Sequence, residues 1–159
     1  MPENFEQSSV TEETKDFVTV LDEVMAEVLA TMFFADCEPA PCNHAWLASA
    51  FTAQLGFAGR HVGETLVSVS SPAAQSIASG FLGLDPRETN EADCRQVVLE
   101  LSNILCGAIL SRLWPDSKLM LSAPGPATWE SGLEGSAHRC FNTPEGSLAW
   151  CIRLREPGL

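Results

Sequence analysis

The stretch RQVVLELSNILCGAILSRLW, residues 95–114, decides the fold. Wound at 100° per residue, Val97, Val98, Leu101, Leu105, Ile109 and Leu113 fall on a side that can bury. Gln96, Glu100, Asn103, Gly107 and Ser111 fall on the opposite side, within an arc of about 80°. A solvated helix face normally carries Lys, Arg and several Glu in i,i+4 pairs. This one carries a single carboxylate, carboxamides and two small residues. Gly107 alone costs about 1 kcal/mol relative to Ala in mid-helix. A helix that keeps such a face is shaped to let another molecule come close.

Glu100 and Asn103 are three residues apart and so are neighbours on that surface. Glu100 is a negative acceptor, whereas Asn103 both donates and accepts. Together they can grip a cation and hold a water. No His or Cys lies beside them on that face, so the pair suits positioning rather than covalent catalysis.

Composition narrows the partners. The chain has 159 residues, 9 basic and 21 acidic, for a net charge of −12. That excess argues against nucleic acid and against anionic membrane surfaces, where Lys and Arg carry the affinity. It favours a partner that offers lysines. No apolar run approaches the roughly 20 residues of a spanning helix. The opening MPENFEQSSVTEETKD lacks the basic n-region of a secretory signal, so the expected location is cytoplasmic.

The six cysteines are then expected to be reduced thiols, mostly buried as small hydrophobes. Cys37, Cys42 and His44 form a C-x4-C-x-H cluster, but zinc needs a fourth ligand and none is evident, so no metal site is expected. His61 and His138 are isolated in the sequence and read as structural or surface residues.

Working outward, residues 1–13 read as a disordered acidic leader and 14–159 as one domain. A first helix is predicted from Thr14 to Phe34, with Phe17, Leu21, Val24, Val28 and Phe33 at helical spacing. Two prolines end it in the loop ADCEPAPCN. Residues 44–57 and 64–69 read as two strands joined by the turn FAGRHVG, a hairpin. Ser71 as N-cap and Pro72 at the first helical position start a second helix, which Gly83 closes near Leu82. Thr89 or Asn90 caps the striped helix, and Trp114-Pro115 stops it. A short strand at 119–122, a loop at 123–136 and strands at 137–141 and 147–154 follow. The order reads as α+β, an antiparallel sheet packed against long helices.

The segment LELSNILCGAIL resembles the E-L-x-N-x-x-x-G signature of the CheC/CheX/FliY family of chemotaxis phosphatases. The preceding GETLVSVSSPAAQSIASGFLGLD is similar to that family's glycine turn, apolar strand, helix and Gly-closed end. The resemblance spans residues 14 to 154. It implies a CheX-like domain that dephosphorylates the aspartyl-phosphate of a CheY-like response-regulator receiver. Glu100 would then salt-bridge the receiver's lysine, and Asn103 would orient the attacking water. Gln96, Gly107 and Ser111 would line the contact. No cofactor of its own is implied, because the Mg2+ belongs to the receiver. A homodimer is also implied, and the apolar SLAWCIRL at 147–154 is expected to be the exposed strand edge that pairs. Two departures stand out. Some relatives repeat E-x-x-N on the first helix, where this chain has Glu27-Val28-Leu29-Ala30, so one active helix is expected. The residue after the motif glycine, often Asn, is Ala108. The alternative function is a non-catalytic CheX-like module that binds a receiver or dimerises.

Overall fold

A computed structural model describes residues 2–128 and 137–155; for residues 2–16 and for His44 it describes the backbone alone. Helix α1 runs Pro2–Met32 and strand β1 Glu38–Ala40. A 3-10 helix at His44–Ser49 precedes β2, Phe51–Ala58, and β3, Val62–Val69. Helix α2 spans Ser71–Leu82 and α3 spans Glu91–Leu113. The short strands β4 (Met120–Leu121) and β5 (Gly125–Pro126) follow, then β6 (Ala137–Asn142) and β7 (Ser147–Arg155). The fold is α+β, as the sequence predicts. The seven strands form one sheet in the order β1-β6-β7-β3-β2-β4, with β5 also on β2, and every pairing is antiparallel.

Strand alternation sorts this sheet into two buried faces. Ala53, Leu55, Phe57, Val67, Val69, Phe141, Leu148, Trp150 and Ile152 face the helices and share their core. Helix α3 lies against β2 and β3, with α1 and α2 packed on it. Phe17 of α1 meets Trp150 of β7 at 5.8 Å between ring centroids. Asp22 of α1 accepts two hydrogen bonds from the Arg139 guanidinium of β6, both 2.9 Å. This forked pair fixes α1 across β6. On the opposite face Leu66, Ser68, Cys140, Ala149 and Cys151 are buried too.

The ends of α3 are set by local chemistry. Asn90 Oδ1 accepts from the Asp93 backbone N–H at 2.8 Å, and Asp93 Oδ2 accepts from the Asn90 N–H at 3.1 Å. This reciprocal box satisfies two of the helix's orphan donors. Trp114, preceding Pro115, leaves helical geometry at φ −135°, ψ 73°. Gly83 closes α2 in the left-handed conformation, φ 70°. Gly59, at φ 149°, lets the β2–β3 turn pass under Lys118, whose carbonyl oxygen would lie 2.7 Å from an added Cβ.

Several expectations change. Residues 44–49 are a 3-10 helix rather than the start of a strand, because the Asn43 side chain accepts from the Ala45 N–H at 3.0 Å and caps a turn there. Ser70, not Ser71, is the N-cap of α2; its hydroxyl oxygen instead accepts from the Ser147 N–H at 2.9 Å. The backbone of α1 begins at Pro2. β7 is an interior strand between β6 and β3, so SLAWCIRL is not an exposed edge. Helix α3 is, by length and composition, apolar enough to cross a membrane, contrary to the reading of the sequence, yet it is the core helix under the sheet.

Cys42 and Cys140 are joined in a disulfide, so the expectation of six reduced thiols fails. The register explains the pairing: Ala40 of β1 lies opposite Cys140 of β6, and Cys42 follows two residues later. The bridge holds the chain after β1 against the outer face of the sheet. Part of the 123–136 loop, residues 129–136, lies outside the described residues.

Candidate functional site

The polar stripe of α3 points away from the core. Cys94, Val97, Val98, Leu101, Leu105, Cys106, Ile109 and Leu110 are buried. On the other side Gln96, Asn103 and Ser111 are exposed, and Glu100 and Gly107 are half-buried. The helix therefore brings all five sequence-predicted residues onto one surface, about 22 Å long at 1.5 Å per residue. Glu100 and Asn103 sit adjacent at its centre, with their Cβ atoms about 5–6 Å apart by helix geometry.

Their electrostatic isolation matters as much as their placement. The two arginines of α3 are both engaged elsewhere. Arg95 pairs with Glu91 on the same helix, and Arg112 reaches across to Glu27 and, at 3.5 Å, to Glu23 on α1. No hydrogen bond or ion pair within the described residues engages Gln96, Glu100 or Asn103. A carboxylate and a carboxamide thus stand side by side with their hydrogen-bonding capacity open. Ser111 differs: its hydroxyl donates to the Gly107 carbonyl at 2.7 Å, so it offers mainly an acceptor. A Cβ added to Gly107 would meet nothing within 4 Å. Nothing among the described residues requires a glycine there.

The Arg112 pairing also bears on the first helix. Glu27, of the stretch Glu27-Val28-Leu29-Ala30 on α1, is held by Arg112. The position three residues on is Ala30, with no amide to offer.

Other nucleophiles and metal ligands are remote from the stripe or masked by burial. Desolvation pushes the thiols of Cys106 and Cys151 up to about 11. Burial, then Asp22 and Asp36, does the same to Cys37, also to about 11. Burial and neighbouring acids raise Cys94 as well. None of these is a thiolate at neutral pH. Cys42 is committed to its disulfide, which removes it from the C-x4-C-x-H set. Among the described residues no group of three or more His, Cys, Asp or Glu could hold a metal. His61 stacks on Trp114 with 3.9 Å between ring centroids, tying the β2–β3 turn to the end of α3.

The sequence reading missed a groove of about 570 Å³ beside the stripe, between α3, the start of β2 and β5. Arg95 and Leu99 of α3 line it. No sequence signal could have shown it, since its opposite wall is Ala48 to Thr52 and Pro126-Ala127, unremarkable residues distant in the chain.

An antiparallel sheet backed by three α-helices is the fold this chain shares with solved CheX and CheC-like proteins. A family model described as "Chemotaxis phosphatase CheX" matches residues 51–136, more than half of the chain, and the chain belongs to that family. Solved structures agree on the fold. Chemotaxis protein CheX from Vibrio vulnificus is 20% identical, with a TM-score of 0.71 over 87% of this chain and 96% of its own. A chemotaxis protein CheX from Desulfovibrio desulfuricans is also 20% identical, with a TM-score of 0.68 over 91% and 99%. The CheX-CheY-BeF3-Mg2+ complex from Borrelia burgdorferi matches at 15% identity and a TM-score of 0.64 over 88% and 98%. A comparison with curated proteins finds no match.

Proposed function

We propose that this chain hydrolyses the aspartyl-phosphate of a CheY-like receiver domain through the face of α3. The observation that carries the reading is the open pair Glu100 and Asn103, beside two arginines already committed to other carboxylates. In the proposed complex Glu100 takes the receiver's active-site lysine, supplying the cation that its own chain withholds. Asn103 reaches the phosphoryl group, and its carboxamide oxygen accepts a hydrogen bond from a water and aims it in line with the P–O bond. The water oxygen bonds to phosphorus, the bond to the aspartate oxygen breaks, and inorganic phosphate and a free carboxylate leave. Positioning and charge complementarity supply the rate, as is general for phosphoryl transfer.

Mg2+ comes with the receiver, where it neutralises phosphoryl charge. The stripe fits that division of labour, since Glu100 is its one carboxylate and could not alone hold the ion. Gln96, Gly107 and Ser111 complete the contact surface. A single active helix follows from the Arg112–Glu27 pair and Ala30. A cytoplasmic location goes with this partner. The homodimer expected from the family cannot pair through β7, which is interior.

The experiment is phosphate release from a panel of acetyl-phosphate-charged receivers in Mg2+. Accelerated release from at least one receiver supports the reading. Binding of the charged receiver without acceleration identifies a non-catalytic module instead.

A further inference from the structure

We infer that the groove beside α3 is the specificity pocket of this site, and that it seats an apolar side chain of the receiver next to the phosphorylated aspartate, with a receiver carboxylate on Arg95. The inference rests on the receiver-phosphatase reading above.

Position is the first argument. Leu99 forms part of the groove wall and lies one helical turn before Asn103, so their side chains are neighbours. A phosphoryl group within reach of Asn103 brings the surrounding receiver surface over Leu99 and the groove mouth. The groove is therefore continuous with the contact face.

Chemistry is the second. The lining is mixed: Phe51, Leu99, Pro126 and Ala127 form its apolar part, and Glu91, Arg95 and three hydroxyls its polar part. Its volume of about 570 Å³ falls within the range of roughly 300–1,000 Å³ that seats small ligands, and so takes a side chain or two. The hydroxyls on its wall are already committed. Ser71 donates to the Ser49 carbonyl at 3.2 Å, Ser49 to the Trp46 carbonyl at 3.4 Å, and Thr52 shares a 2.6 Å bond with Ser68. The apolar part of a receiver side chain can therefore pack on Phe51, Leu99, Pro126 and Ala127 without displacing a bond these hydroxyls make.

Charge is the third. Arg95 is the single cation of the lining and pairs with Glu91 at the rim. Its side chain is still 64% exposed, so it can accept a second carboxylate. In a chain of net charge −12, one exposed arginine beside the proposed contact discriminates among receivers by the acid placed opposite it.

The test uses the full chain and the receiver that wild type dephosphorylates fastest, or, if none turns over, the receiver that binds most tightly. Two measurements are made: phosphate release against receiver concentration, and calorimetric titration of the same receiver loaded with Mg2+ and beryllofluoride. Arg95→Glu and Ala48→Trp both change exposed positions on the groove, and thermal melting confirms that each variant folds. Each should weaken binding and raise KM about tenfold, with kcat within twofold of wild type. Unchanged Kd and KM in both variants overturn the pocket while leaving the phosphatase reading intact. Binding without turnover overturns the catalytic reading alone, because the titration still ranks the groove variants. No binding by wild type to any charged receiver overturns both.

Discussion

Gly107→Ala should make this protein more stable and less active. An added Cβ at Gly107 meets no atom within 4 Å, so the methyl group is accepted without movement. The remaining effect is helix propensity, which favours Ala over Gly by about 0.8–1.0 kcal/mol in a helix interior. For a domain of this size that raises Tm by about 2–4 °C. Gly80 and Gly63 provide contrasting controls. An Ala at Gly80 would press on the Phe33 carbonyl at 2.6 Å, and one at Gly63 on the Arg153 carbonyl and on Phe57. Both should destabilise, by about 1–3 kcal/mol. The same Gly107 methyl stands where the receiver is proposed to approach α3, and overpacking that contact by about 1.4 kcal/mol weakens binding tenfold. Calorimetry gives the stability, and titration of a beryllofluoride-loaded receiver gives the affinity. A fall in Tm would refute the open helix surface. A rise in Tm with unchanged affinity would remove Gly107 from the contact.

Glu100→Lys should weaken receiver binding more than Glu100→Ala, because reversal sets two ammonium groups against each other; wild-type affinity in both variants by calorimetric titration would remove Glu100 from the interface. Opening the Cys42–Cys140 bridge, which spans 98 residues of chain, should lower stability by about 2–4 kcal/mol in urea unfolding with dithiothreitol, and Cys42→Ser should abolish that sensitivity. Alkylation of the protein in intact cells followed by mass spectrometry reports whether the bridge exists there; a cytoplasmic pool keeps most such bonds reduced. Phe34 is 75% exposed at φ 56°, and the Ala35 N–H bonds the Leu29 carbonyl at 2.9 Å behind it, so it fills the position that glycine prefers at a helix end. Phe34→Gly should raise stability by about 0.5–1 kcal/mol, the relief of left-handed strain less the added freedom of the unfolded chain, as measured by denaturant midpoint.

Much of this molecule is legible in the sequence where a single period dominates. The stripe of α3 and its buried face follow from 3.6-residue spacing, and Asn90 with Asp93 marks its start. The errors have physical causes. Trp46, Ala48 and Ala50 alternate like a strand, but small alanines give no burial signal, and the Asn43 cap turns the chain instead. SLAWCIRL reads as an edge because it is apolar and its end carries few charges; yet residues Leu148 to Ile152 are buried on both faces, the pattern of an interior strand. The disulfide depends on the β1–β6 register, which no local spacing encodes. The commitment of Arg112 to Glu27 and Glu23 of α1 is likewise a product of tertiary packing, whereas Arg95 and Glu91 are a local i,i+4 pair within α3.

The central claim is that Asn103 orients the hydrolytic water. Asn103→Ala removes an exposed carboxamide with no side-chain partner among the described residues, so stability should change by no more than about 0.5 kcal/mol. Single-turnover phosphate release from the cognate phospho-receiver should slow by about 100-fold or more, as for loss of one positioned hydrogen-bonding group. Affinity for the beryllofluoride-loaded receiver should stay close to wild type. Wild-type turnover by the folded Asn103→Ala variant would contradict the account.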